Sequence, residues 1–142
     1  MLALEISAAT GAGTPSIDLT FVPPYGSALS LAGNVSHVSP DAFAVVVYLS
    51  INGGATWYVK PFYNQPLTYT RCDGTWTTNV ATGGSDQQAT NYAAFLIPRT
   101  YTPPALSGQP LPNELFQNAA ANTAVSRSTN SEWPTGFDRA SC

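Results

Sequence analysis

The residues best suited to chemistry in this sequence are aromatic and lie close together between positions 57 and 65. The members of this cluster are Trp57, Tyr58, Phe62, Tyr63, Asn64 and Gln65. A sugar ring has an apolar face of C–H groups and a rim of hydroxyls, which proteins meet with a flat aromatic ring and nearby polar groups. The cluster therefore predicts a surface that can stack on a sugar. The competing interpretation is that these aromatic side chains fill a core.

Alternation along the strand that contains Trp57 predicts which of its side chains are exposed and can contact a sugar. Adjacent strand residues point to opposite faces of a sheet. Trp57 and Val59 fit a core face, so we expect Tyr58 and Lys60 to be exposed. Tyr48, on the preceding strand, is expected to lie beside Tyr58 and extend the aromatic surface.

A second candidate is the segment 83–88, in which glycines precede the carboxylate of Asp86. Such a loop can bind calcium or a sugar hydroxyl. A single carboxylate is a poor calcium site, so a plain turn is the favoured interpretation and no metal is predicted. Asp86 stays a candidate for hydrogen bonding to a sugar.

Acid–base and nucleophilic catalysis are not indicated. His37 is the only histidine, and Ser36, Ser39 and Asp41 are its neighbours in a turn rather than partners across a fold. Glycoside hydrolysis needs two carboxyl groups held close together, and nothing in the sequence brings two together. We therefore predict a protein that is not an enzyme and has no cofactor.

Charge is unusually scarce and restricts the partners further. Only 9% of the 142 residues are charged, and the net charge is −3. Five Lys and Arg residues spread along the chain do not form a phosphate-binding patch, so nucleic acid is not expected. The longest apolar run, 42–49, is too short to span a bilayer. The polar surface must come from Ser, Thr, Asn, Gln and Gly, which is common in secreted β-proteins.

The elements that must position the aromatic cluster are β-strands throughout. Period-two alternation is seen at 16–21, 29–38, 42–51, 56–60 and 119–127, with Pro and Gly between such runs. Both faces of 42–51 are apolar, which predicts a central strand. Turns are expected at 52–54 and 73–74 as hairpins, one helical turn at 111–116, and a surface connection between Pro98 and Pro112. Trp76 is predicted to be core.

This pattern predicts an all-β fold, an immunoglobulin-like β-sandwich of about seven or eight strands. The domain is assigned to 16–127, after an N-terminal strand and small-residue linker at 1–15 and before a C-terminal tail at 128–142. Cys72 and Cys142 can form one internal disulfide, pair between chains or stay reduced.

The two ends of the chain suggest another activity. Leu2, Leu4 and Ile6 alternate with smaller or polar residues before a flexible linker, and such a strand can add to the sheet edge of a neighbouring copy. Trp133 and Cys142 are further candidates for a contact between copies. The alternative function is thus a self-assembling extracellular subunit of a filament or surface layer.

Several segments, in order along the chain, carry a family resemblance. They are 21–27 (FVPPYGS), 31–35 (LAGNV), 45–48 (VVVY), 52–54 (NGG), 57–61 (WYVKP), 73–76 (DGTW), 82–84 (TGG) with Asp86, and 94–98 (AFLIP). Together they resemble β-sandwich carbohydrate-binding modules of the cellulose and β-glucan type, which are attached to secreted bacterial polysaccharide-degrading enzymes. Trp57-Tyr58 stands where that family pattern has tandem tryptophans. The resemblance implies a secreted, non-catalytic module whose partner is a β-glucan-type polysaccharide.

Overall fold

The part of the chain that the computed structural model describes, residues 13–127, consists mainly of β-strands. Within these residues the strands are β1 (Ser16–Phe21), β2 (Leu31–Ser36), β3 (Phe43–Ser50), β4 (Trp57–Lys60), β5 (Leu67–Thr68), β6 (Thr75–Thr78), β7 (Asn91–Pro98), β8 (Ser107–Gln109) and β9 (Ala121–Ser126). One short helix, α1, covers Asn113–Asn118, and a 3-10 turn covers Asp86–Gln88. The predicted all-β class is confirmed.

The strands form two antiparallel sheets of unequal size. The small sheet has the order β1-β2-β6, and the large sheet has the order β8-β4-β3-β7-β9, with β5 also paired to β3. Strand β3 is central, as predicted, because it pairs with β7 on one side and with β4 and β5 on the other. Its residues from Ala44 to Ser50 are all buried.

Both faces of the large sheet are covered. On the inner face, β3 and β7 pack against the small sheet through Val45, Val47, Leu49, Tyr92, Ala94 and Leu96, opposite Ile17, Leu31, Val35, Trp76 and Val80. On the outer face, the same two strands bury Val46, Tyr48, Ala93, Phe95 and Ile97 with Trp57, Val59, Leu106 and Leu115. Trp76 is core, as predicted.

Gly33 shows how tightly the small sheet closes over Trp76. A Cβ atom at position 33 would lie 2.5 Å from the Trp76 ring and 2.2 Å from the Asp18 carbonyl oxygen. A strand position with so little space accepts only glycine. The buried Trp76 indole therefore occupies the space that a side chain at position 33 on the neighbouring strand would need.

The turn at 52–54 forms as predicted and joins β3 to β4. Gly53 and Gly54 have φ values of 77° and 94°, in the region that glycine tolerates best. The Ser50 hydroxyl accepts a hydrogen bond from the Gly54 N–H at 2.9 Å. Because this turn is fixed, the register between Leu49 and Tyr58 is fixed as well.

The turn at 73–74 also forms, but it is not a hairpin between strands of one sheet. Gly74 has a φ of 87°, and its N–H donates to the Arg71 carbonyl at 2.9 Å. The strands on either side separate, because β5 pairs with β3 in the large sheet and β6 with β2 in the small one. The hairpin prediction is wrong because local turn residues do not specify the pairing partner.

The connection from Pro98 to Pro112 covers the outer face of the large sheet and contains β8, which the sequence pattern did not predict. Strand β8 pairs with β4 despite the neighbouring prolines. Helix α1 follows, two residues later than the predicted helical turn at 111–116, and buries Leu115. Strand β9 forms within the predicted range of 119–127.

Arg127, at the end of β9, ties three segments together. Its buried guanidinium donates to the carbonyl oxygens of Pro23 at 3.0 Å, Gln87 at 2.8 Å and Ala89 at 2.9 Å, among others. It also lies 5.1 Å from the centre of the Tyr92 ring. Burial lowers the pKa of this guanidinium. The pKa of an arginine is high enough for it to stay charged even so.

We expect Arg127→Lys to lower the free energy of unfolding by about 2–4 kcal/mol, because one ammonium cannot replace a planar set of donors reaching separate carbonyls. Urea unfolding followed by tryptophan fluorescence measures this. Arg71→Lys is the matched control: it is exposed and should change the value by less than about 0.5 kcal/mol. An equal, small effect of both substitutions would contradict the assigned role of Arg127.

Candidate functional site

The candidate site lies where the large sheet extends beyond the small one. The main contacts between the sheets join β1 to β7 and β9, and β6 to β5. The main contacts of β4 and β8 are with strands of their own sheet. The small sheet therefore does not fully cover the inward face of β4, where Tyr58 stays half-buried, and this edge is where the predicted aromatic cluster is placed.

Tyr58 is the half-buried residue at the centre of this edge. It lies opposite Leu49 on β3 and packs against the inner core. Its hydroxyl approaches Gly108 of β8, where an added Cβ would lie 3.4 Å from the oxygen. The ring is held between β3 and β8 while part of its surface remains open.

Two grooves share Tyr58 as a wall. The first, which we call the aromatic groove, has a volume of about 230 Å³ and includes Phe62, Tyr63 and Leu106. The second, the loop groove, has a volume of about 270 Å³ and includes Ile51 and the segment Gly84–Asp86. The prediction that Tyr58 is accessible on the surface is confirmed in part, since it is intermediate in exposure.

The aromatic residues of the turn after β4 are the most open. Pro61 follows β4, and the Gln65 N–H donates to the Phe62 carbonyl at 3.1 Å, which closes a tight turn. Phe62 is 47% exposed and Tyr63 is 55% exposed. Exposure of two neighbouring aromatic rings costs hydrophobic free energy unless a partner covers them, which makes them candidates for binding.

Lys60 was predicted to be exposed, and the structure shows that it is buried. It shares the inward face of β4 with Tyr58 and forms a salt bridge with Asp86. Its ammonium also donates to the Thr82 hydroxyl at 2.9 Å. The pairing with Asp86 is what allows the charge to leave water, because a buried cation needs an anion and further acceptors.

The hydrogen-bonding capacity of the Asp86 carboxylate is therefore used mainly by other groups of the protein. The carboxylate oxygen that meets Lys60 also accepts from the N–H groups of Thr82 at 3.0 Å and Gly83 at 3.2 Å. These bonds organise the loop, of which Gly84 and Ser85 line the loop groove. Among residues 13–127 there is no group of three or more His, Cys, Asp or Glu that could hold a metal ion.

Tyr48 and Trp57 lie in the outer core, and the predicted pairing of Tyr48 with Tyr58 is wrong. Tyr48 is opposite Val59 and fully buried, and its hydroxyl donates to the Pro104 carbonyl at 2.8 Å. Trp57 is 7% exposed and donates from its ring N–H to the Gly54 carbonyl at 3.0 Å. The reason is that the connection after β7 covers the outer face, which makes it a second core.

Asn64 and Gln65 are exposed, but they do not line the aromatic groove. They line a third groove of about 460 Å³, together with Tyr69, Arg99 and Tyr101. Sequence reasoning did not select these three. The feature of the sequence that could have indicated this groove is Arg99, one of only five Lys and Arg residues, which directly follows the strand-ending Pro98.

The remaining predicted residues fall into two groups. His37 is exposed with a φ of 64°, and the Asp41 N–H bonds the Ser39 hydroxyl at 3.3 Å, so the predicted solvated turn is confirmed. The residues assigned to self-assembly, and the second cysteine of the possible disulfide, lie outside the described residues. These are Leu2, Leu4, Ile6, Trp133 and Cys142.

Comparisons with protein-family models, with curated proteins and with solved structures gave no match for this chain. No helix within residues 13–127 is long and apolar enough to cross a membrane.

The buried phenols predict loss of stability in alkali. Burial raises the pKa of Tyr48 and of Tyr92, so these groups keep their protons in the folded state after the unfolded chain has lost them. The unfolded state then binds fewer protons, and the free energy of unfolding falls as pH rises above about 10, by up to about 1.4 kcal/mol per pH unit for each such group.

Urea unfolding at pH 7 to 11 measures this dependence. Tyr48→Phe should lower stability by about 1 kcal/mol at pH 7, through loss of the bond to Pro104, and should fall less steeply above pH 10. Tyr63→Phe, at an exposed position, is the control and should match wild type. An unchanged alkaline slope in Tyr48→Phe would count against the assignment.

Proposed function

We propose that this domain is a non-catalytic carbohydrate-binding module that binds a β-glucan-type polysaccharide. The observation that carries the proposal is that one half-buried ring, Tyr58, is a wall of both the aromatic groove and the loop groove. The exposed rings of Phe62 and Tyr63 extend the first, and the backbone of Gly84 and Ser85 extends the second. A polymer is recognised at several neighbouring subsites, and the shared wall makes these two grooves neighbours.

The chemistry of this surface suits a neutral sugar chain. Tyr58, Phe62 and Tyr63 offer flat apolar faces for the C–H face of a pyranose. The loop groove adds backbone groups and the Ser85 hydroxyl for sugar hydroxyls. Lys60 and Asp86 neutralise each other, so we expect binding that is modest and nearly independent of salt.

The buried aromatics support this surface from behind. Trp57 and Val59 alternate with Tyr58 along β4 and anchor the strand in the outer core. Tyr48 fixes the connection that contains β8 through its bond to Pro104. We assign positioning roles to Trp57 and Tyr48, and ligand contact to Tyr58, Phe62 and Tyr63.

The strand order supports an immunoglobulin-like arrangement as the finer description of the fold. In that arrangement the first, second and fifth strands lie in one sheet, and the third, sixth and seventh lie in the other, with added strands at the edge of the latter. Here β1-β2-β6 faces β4-β3-β7-β9 in the corresponding way. The charge-poor surface, rich in Ser, Thr, Asn, Gln and Gly, is in keeping with secretion.

Affinity electrophoresis in gels containing a soluble β-glucan tests the function. Wild type should be retarded, and Tyr58→Ala and Tyr63→Ala should each weaken binding by about threefold to tenfold, the loss of one stacking partner. Tyr69→Ala is a matched control, because Tyr69 is 55% exposed like Tyr63 but lines the third groove.

Equal migration of wild type with and without glucan would overturn the proposal. So would equal retardation of wild type and both groove variants. Circular dichroism and urea unfolding of Tyr58→Ala establish that it is folded. Because Tyr63 is on an exposed turn, Tyr63→Ala keeps the test informative if Tyr58→Ala is unstable.

A further inference from the structure

The third groove shares only Pro61 with the aromatic groove, and it contains an arginine without a salt bridge among the described residues. Its walls are the amides of Asn64 and Gln65, the rings of Tyr69 and Tyr101, and the guanidinium of Arg99. We propose that this groove binds the carboxylate of a uronic acid residue in an acidic glycan. The choice of a sugar rests on the proposed function, whereas the choice of a carboxylate rests on Arg99.

Arg99 is held in place before any ligand arrives. Its guanidinium lies 4.4 Å from the centre of the Tyr69 ring. Its Nη2 donates to the Pro40 carbonyl at 2.7 Å, and its Nε donates to the Phe43 carbonyl at 3.3 Å. The main-chain N–H of Arg99 donates to the Ala42 carbonyl at 2.9 Å. A side chain fixed in this way loses little conformational entropy on binding.

The guanidinium keeps unused donors and an uncompensated charge. It has five N–H groups, and the bonds to Pro40 and Phe43 occupy two of them. Within residues 13–127, no carboxylate forms a salt bridge with Arg99. Planar paired donors match a carboxylate, and charge-assisted hydrogen bonds are stronger than neutral ones.

The other cations of the described chain are already engaged. Lys60 is paired with Asp86. Arg127 is buried among carbonyl oxygens. Arg71 donates to the hydroxyls of Thr75 and Thr77, at 3.2 and 2.9 Å. Of the cations within residues 13–127, Arg99 is the one that lines a groove without a salt bridge.

The rest of the groove suits a sugar ring that carries the carboxylate. The volume of about 460 Å³ lies in the range of small-ligand sites. Asn64 and Gln65 are exposed amides that can meet hydroxyls as donors or acceptors. The hydroxyl of Tyr101 is buried and has no hydrogen-bond partner in the described structure, and Pro61, Pro66 and Leu67 supply apolar surface.

The test is isothermal titration calorimetry of the whole chain with a tetrasaccharide of β-1,4-linked glucuronic acid. We expect Arg99→Gln to weaken binding by at least about tenfold, and we expect wild-type affinity to fall as salt is raised. Arg71→Gln is the matched control at an exposed arginine outside the groove and should bind like wild type. Asn64→Ala, on the exposed turn, should weaken binding by about threefold and leaves the anchoring of Arg99 intact.

Two further measurements distinguish this inference from the proposed function. A cello-tetraose of neutral glucose should not need Arg99, and Tyr58→Ala should keep its affinity for the acidic tetrasaccharide. If neutral glucan fails to bind while Arg99-dependent binding of the acidic sugar persists, the proposed function fails and this inference stands. Affinity for the acidic tetrasaccharide that is unchanged in both Arg99→Gln and Asn64→Ala would overturn the inference. So would equally tight binding of a short peptide that offers only its terminal carboxylate.

Discussion

The structure depends on burying both faces of the central pair of strands, β3 and β7. Both strands are apolar on both faces, so a single partner sheet cannot remove them from water. The small sheet covers the inner face, and the connection after β7 with helix α1 covers the outer one. Because this second layer covers them, Tyr48 and Trp57 are core residues and not candidates for contact with a sugar. It also brings β8 to the edge of β4, next to Tyr58.

The difference in size between the two sheets explains where open grooves remain beside β4. The three strands of the small sheet make their main contacts away from β4 and β8. The loop before β7 is joined to that edge, since Asp86 pairs with Lys60 of β4 and also accepts from the Gly83 N–H. The remaining openings are the grooves on either side of Tyr58. The candidate site is thus a direct consequence of how the layers overlap.

Three of the few cations, Arg127, Lys60 and Arg99, have distinct roles in the structure. The guanidinium of Arg127 on β9 satisfies carbonyl oxygens from two other segments and is an internal cross-link. The ammonium of Lys60 fixes one loop through Asp86. Arg99 is anchored only in part, and its bonds to Pro40 and Phe43 leave other N–H donors unused. Among the described cations, Arg99 therefore differs from the others in lining a groove without a salt bridge.

The sequence by itself determined most of the strands and turns. Period-two alternation and Pro and Gly positions are local properties, and they predicted β1, β2, β3, β4 and β9, the turn at 52–54 and the burial of Trp76. It also placed exposed aromatics and amides at 62–65. Tertiary structure alone decided which aromatics are accessible, since the burial of Tyr48 and the pairing of Lys60 depend on segments far along the chain. For the same reason it decided that β5 and β6 belong to different sheets, and that Arg99 reaches Tyr69 and the amides after β4. These contacts join residues that lie far apart along the chain, such as Lys60 and Asp86 or Tyr48 and Pro104, which no local pattern encodes.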